Sequence, residues 1–163
     1  ILPKLREIPF YLSNKYFPNT KVSVLSNVTM LHKPAVFEAL KQVDNNILKL
    51  DTVDEAYIRL IDAPVGRYSL PAVIERMKAF EGHCIIQTMF LKGEYRGVDV
   101  NNTTDKYVLP WLQTIKEIAP SQVMIYTIDR ETPVEGLLKA SHEELDAIAE
   151  KVREAGINVS VSY

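Results

Sequence analysis

The chain has 163 residues and a mass of 18.5 kDa, with 47% hydrophobic and 25% charged residues, the balance of a soluble globular protein large enough to bury a core without staples. A formal net charge of -2 and a pI near 6.0 provide no global basic field for nucleic acid. One cysteine excludes an internal disulfide and a cysteine-rich metal site, and no apolar run approaches the ~20 residues of a membrane span, so a cytoplasmic domain is expected.

The chain opens on Ile1-Leu2-Pro3, with Leu2, Leu5, Ile8 and Leu12 at helical spacing that Pro3 and Pro9 interrupt. Such an opening suits a piece of a longer protein. Lys21 to Leu25 reads as a strand ending at Ser26-Asn27. A helix follows, opened at His32-Lys33-Pro34, where a first-turn proline is tolerated, and running through Val36, Phe37 and Leu40. Ile47 to Asp51 is the next strand, with Lys49 and Asp51 on one face and Leu48 and Leu50 on the other.

After a partly helical stretch from Val53 to Ile61 and a loop over Ala63 to Arg67, Ser69 reads as an N-cap with Pro71 just inside. Leu70, Val73, Ile74 and Met77 form that helix's buried stripe, and Gly82 closes it. His83 to Leu91 reads as one long strand and Lys92 to Thr104 as a polar loop. Asp105 starts a helix through Leu109, Leu112 and Ile115 that Pro120 stops. Gln122 to Thr127 is a strand, followed by a loop over Asp129 to Pro133. Ser141-His142-Glu143-Glu144 is a capping box opening a helix through Leu145, Ile148 and Val152, ended by Gly156. Ile157 to Val161 is the final strand. No linker divides the chain, so residues 1–163 read as one domain.

Strands separated by helices imply parallel pairing with right-handed crossovers, in an open sheet or a (β/α) barrel. Both place functional groups at the carboxyl ends of the strands. Those positions are Ser26, Asn27, Lys49, Asp51, Gln87, Tyr126, Thr127, Asp129 and Arg130. Lys49 and Asp51 form either a structural ion pair or a ligand site in which Asp51 accepts a hydroxyl. Gln87 and Thr127 are either ligand contacts or buried polar residues satisfied by their neighbours. Familiar catalytic signatures are absent: no phosphate loop, no nucleophile elbow and no zinc-protease helix occur. His32, His83 and His142 read as structural or solvated, and Cys84 as a small buried hydrophobe.

The string Leu25-Ser26-Asn27-Val28-Thr29-Met30-Leu31, then Leu48-Lys49-Leu50-Asp51, resembles the strand motifs of radical S-adenosylmethionine proteins. Ile61-Asp62-Ala63-Pro64, Gly66-Arg67-Tyr68-Ser69, Gln87 to Gly93, Ile118 to Val123 and Tyr126 to Arg130 continue the resemblance in order. They are similar to the Fe-S oxidoreductase branch related to wyosine-synthesis enzymes. The resemblance implies an α/β fold, a partial (β/α) barrel of parallel strands truncated at its N-terminal side, and it makes this chain the C-terminal portion. It implies S-adenosylmethionine and a [4Fe-4S] cluster in the full-length parent, with none bound to this chain. The parent would cleave S-adenosylmethionine reductively to a 5′-deoxyadenosyl radical that abstracts hydrogen from an unknown substrate. The fragment alone would be inactive. Ser26, Asn27, Lys49, Asp51, Gln87 and Thr127 are the implied cofactor-binding residues, although Val28 stands where the family has glycine and Lys49 where it has a small residue. The alternatives from the residues alone are a non-catalytic small-molecule-binding α/β domain, or a barrel hydrolase or aldolase using Lys49 or Asp51. Truncation would leave the first strand as an open edge, with self-association expected through it and the Ile1–Phe17 segment.

Overall fold

The computed structural model describes residues 15–17, 19–129 and 134–163. Most of the Ile1–Phe17 segment, and Arg130 with the rest of the loop to residue 133, lie outside the described residues. Five parallel strands form the main sheet: β1 (Ser23–Ser26), β2 (Asn45–Lys49), β3 (Ile85–Met89), β6 (Gln122–Tyr126) and β8 (Val159–Ser162). They lie side by side in the order β1-β2-β3-β6-β8. Each is joined to the next by a helical crossover: α1 (Pro34–Leu40), α3 (Leu70–Lys78), α4 (Asp105–Ile118) and α5 (His142–Glu154). This is the expected parallel α/β architecture. Among the described residues no helix is long and apolar enough to cross a membrane.

Strand periodicity decides the two faces. Leu48, Ile86, Val123 and Ile125 are buried and pack in one core with Met77, Trp111, Ile115, Ile118, Leu145 and Ile148 of the helices. The alternate positions Lys49, Gln87 and Met124 stand in register across β2, β3 and β6 on the other face and are only half-buried. A one-residue slip would exchange the two sets, so the apolar pattern fixes the register. The sole cysteine, Cys84, lies in the core, where burial pushes its thiol up to about 11.

The helix boundaries follow local chemistry. Pro34 sits in the first turn of α1, and the capping box of α5 is complete: Ser141 Oγ accepts the Glu144 N–H, and Glu144 accepts the Ser141 N–H at 2.7 Å. Ser69 does precede α3, but its side chain does not cap the helix, and α3 ends at Lys78, before Gly82.

Two expectations are corrected. The strand expected over His83–Leu91 stops at Met89, because Phe90 turns into the core edge-to-face on Trp111, with centroids 5.4 Å apart. Leu91 instead begins β4 (Leu91–Tyr95), which pairs antiparallel with β5 (Val98–Asp99) and β7 (Leu137–Lys139). The supposed polar loop from Lys92 to Thr104 is therefore largely a ribbon at the carboxyl end of the sheet.

Candidate functional site

The carboxyl ends of β1 and β2 open into a cleft of about 510 Å3, lined in part by Asn27, Val28, Lys49, Asp51, Asp62 and Tyr68. Asp62 comes from a single wide helical turn, Ile58–Asp62, which continues the one-turn helix α2 (Glu55–Tyr57). Asp54 starts that segment by accepting the Tyr57 N–H at 3.0 Å. Lys49 Nζ lies 2.5 Å from Asp51 Oδ2 and 3.1 Å from Asp62 Oδ1. One ammonium thus serves two carboxylates.

The three members differ in access. The Asp51 side chain is 2% exposed, whereas those of Lys49 and Asp62 are 32% and 23% exposed. Asp51 is also fully engaged: Oδ1 accepts the Met89 N–H at 2.9 Å, and Oδ2 meets the Lys49 ammonium. Burial pushes the Asp51 carboxyl up to about 7 against the pull of Lys49, and the Asp62 charge adds to the rise. For Lys49 burial works downward, but Asp51 and Asp62 outweigh it and hold the ammonium above its ordinary range. The two carboxylates thus favour the protonated form of Lys49.

The end of β2 is held by groups that sequence reasoning did not select. Thr88 Oγ1 donates to the Leu50 carbonyl at 2.8 Å, and Trp111 Nε1 reaches both Leu50 O and Thr88 Oγ1 at 3.2 Å. Asn102 is fully buried; its Oδ1 accepts the Leu91 N–H at 2.8 Å, and its Nδ2 donates to Met89 O at 2.9 Å. Asn102 therefore joins β3, β4 and the floor beneath Asp51. Its only sequence signal was an asparagine pair after a glycine-containing stretch, which also describes an ordinary loop.

The structure brings Asn27, Lys49 and Asp51 of the sequence-selected residues to the cleft. Gln87 is one strand away, beside Lys49 in register. Ser26 is spent on local shape, its Oγ accepting the Val28 N–H at 3.1 Å. Asn27 Oδ1 accepts from the Thr29 hydroxyl at 2.9 Å. Thr127 is buried, and its Oγ1 accepts the Ala140 N–H at 2.9 Å, the satisfied-core alternative. Val28 holds φ +63° with its side chain buried. Left-handed backbone is unusual for a β-branched residue, and it occurs where the resembled motif has glycine.

No protein-family model matches the sequence. Two Helicobacter pylori proteins from different strains, each described as a UPF0026 protein, are 25% identical over 133 residues. The match takes in 80% of this chain but only 41% of each relative, so the chain spans about two fifths of their length. A domain of the pyruvate-formate lyase-activating enzyme from Bacteroides vulgatus superposes with a TM-score of 0.68 at 11% identity, covering 99% of this chain and 93% of that one. The chain shares the parallel α/β fold of that domain. A radical SAM methyltransferase from Sphaerobacter thermophilus gives 0.68 at 14% identity, over 93% of this chain and 44% of the enzyme. Streptococcus suis SuiB gives 0.67 at 16%, over 98% and 36%.

The residues present do not fit an iron–sulfur cluster. Among the described residues no group of three His, Cys, Asp or Glu side chains converges, and the sequence's one cysteine is buried. What the cleft offers a cationic cofactor is the partly exposed Asp62 carboxylate beside the Lys49 ammonium, with Asp51 buried beneath them.

Proposed function

We propose that this chain is the C-terminal part of a radical SAM enzyme's barrel and supplies part of the wall that holds S-adenosylmethionine and substrate. The observation that carries the reading is the Lys49–Asp51–Asp62 cleft at the carboxyl ends of parallel strands in this fold. When bound, the cofactor supplies a 5′-deoxyadenosyl radical for hydrogen abstraction, and the cluster that cleaves it belongs to a segment outside this chain. The finer placement, in the Fe-S oxidoreductase branch related to wyosine-synthesis enzymes, rests on the ordered motifs from Ser26 to Arg130.

Lys49 and Asp62 are the groups that meet the ligand. Asp51 positions them, since both its oxygens are already engaged. Asn27 lines the same cleft, while Ser26 shapes the turn beside it and Gln87 extends the polar face toward β3. Thr127 contributes only through the backbone that it fixes.

The test uses the complete parental protein, reconstituted with iron and sulfide without oxygen and reduced in the presence of S-adenosylmethionine. Formation of 5′-deoxyadenosine, lost on replacing upstream cysteines and not given by this chain alone, is the expected result. A folded protein that takes up no cluster and forms no product would hand the cleft to a non-catalytic ligand-binding role.

A further inference from the structure

A second cavity, of about 360 Å3, adjoins the first, with Val28, Thr29 and Tyr68 lining both spaces. Its polar lining has the opposite sign. Arg67, Arg76 and His32 face it and no Asp or Glu lines it, whereas the first cleft holds two carboxylates against one ammonium. Among the described residues neither arginine has a carboxylate within salt-bridge distance, although the lysines at 41, 49, 78, 92, 139 and 151 all do. Arginines left without anions beside a concave, partly apolar pocket are the usual means of holding a planar or tetrahedral oxyanion.

The donors are also oriented. Arg76 Nη1 donates to the Ala72 carbonyl at 2.9 Å, so the guanidinium folds back over the first turn of α3 with its other N–H groups unspent. His32 Nδ1 is tied to Thr29 O at 3.0 Å, which leaves Nε2 as its outward nitrogen. The Ser69 hydroxyl, not used as a cap, lines the same space. Val73 and Leu31, both buried, add an apolar part to the lining. An apolar surround strengthens a charge-assisted hydrogen bond.

We propose that this cavity is a phosphate-binding subsite, with Arg67 and Arg76 as the ligating residues, and that it receives the phosphate of a small phosphorylated ligand. A single phosphate matches two arginines that line one cavity. The chain's net charge of -2 and the nearby carboxylates of Glu38 and Glu75 disfavour a long polyanion. The subsite does not depend on the radical reading, because it is defined by its own residues.

The complete parental protein is titrated with inorganic phosphate by calorimetry, then with a phosphate monoester (a nucleoside 5′-monophosphate) and a phosphodiester (dimethyl phosphate). Saturable one-to-one phosphate binding is expected, weakened at least tenfold in Arg67→Gln and in Arg76→Gln and partly restored in Arg76→Lys. Lys33→Gln, a change of exposed charge outside the cavity, is expected to leave it within twofold. A monoester preference supports the proposal and identifies the small-ligand source. Tighter binding of the diester, no saturable binding by the wild type, or equal loss in Lys33→Gln would overturn it. Phosphate binding without 5′-deoxyadenosine formation would defeat the radical reading alone, so the two failures are distinguishable.

Discussion

The Asp51 carboxylate accepts the Met89 backbone N–H at 2.9 Å, so a β2 side chain completes the hydrogen bonding of the neighbouring strand at its carboxyl end. The same carboxylate meets Lys49. One residue therefore closes the sheet and places the cleft's cation, which makes its protonation a property of both fold and site.

Burial pushes Asp51 up to about 7 from an ordinary 3.8. The folded protein then binds this proton more tightly than the unfolded chain, so Asp51 makes stability fall as pH rises from about 4 to about 7. The slope cannot exceed about 1.4 kcal/mol per pH unit. Asp51→Asn can keep the bond from Met89 and leaves Lys49 with Asp62, so its stability relative to wild type should rise between pH 5 and pH 8. Urea unfolding at both values measures this. A constant difference would show that Asp51 is ionised throughout.

Lys49→Met removes the ammonium and leaves Asp51 and Asp62 facing each other. Breaking a buried pair costs roughly 3–5 kcal/mol, and the partial exposure of Lys49 and Asp62 lowers the expectation to about 2 kcal/mol. On the proposed function, the complete protein's affinity for S-adenosylmethionine and its turnover should both fall. Unfolding curves and 5′-deoxyadenosine rates read the two effects separately. Unchanged affinity and turnover would confine Lys49 to the fold.

The parallel strands, the crossover helices and the pairing of Lys49 with Asp51 were legible because they depend on local spacing: period two in β2, and a Ser-to-Glu capping box in α5. Asp62 was not, since it reaches the cleft through a wide helical turn that no apolar period marks. Nor were β4 and β5, which read largely as a polar loop, or β7, to which no element was assigned; the ribbon is tied down by bonds such as Asn102 to Leu91 and Met89. Thr127 kept two readings because strand-end position alone cannot show that its hydroxyl already serves Ala140.

Asn102→Ala would strand the buried Leu91 N–H and Met89 carbonyl together. Each unsatisfied buried group costs about 1–3 kcal/mol, so a loss of about 3 kcal/mol is expected. The ribbon of β4, β5 and β7 should lose amide-exchange protection before the main sheet does. Hydrogen exchange followed by residue checks the order, and uniform loss across both sheets would contradict it.

Val28 sets two costs against each other. Left-handed backbone costs a non-glycine residue about 1–2 kcal/mol, while burying a valine side chain contributes about 1.5–3 kcal/mol. Val28→Ala loses most of the burial and keeps the strain. Val28→Gly loses slightly more burial and relieves the strain, so it should be at least as stable as Val28→Ala despite the larger deletion. Chemical denaturation of both variants decides it, and a glycine variant clearly below alanine would show that the turn is unstrained.

Gly93 is required by space as well as by backbone. Its φ is +105°, and a Cβ built there would lie 1.9 Å from the Gly136 carbonyl oxygen, a backbone atom that no rotamer change can move aside. The close approach lets Glu94 N–H bond to Gly136 O at 3.1 Å while the Val100 N–H bonds to Gly93 O at 3.0 Å, tying β4 to both of its partners. Gly93→Ala should therefore separate β4 from β7 and cost more than about 3 kcal/mol, beyond the ordinary range for a single added methyl. Gly97→Ala, at a turn with open space around it, bears only the backbone penalty of about 1 kcal/mol. Comparing the two by thermal unfolding separates collision from conformational preference. Equal losses would mean that the β4–β7 contact yields to the methyl group.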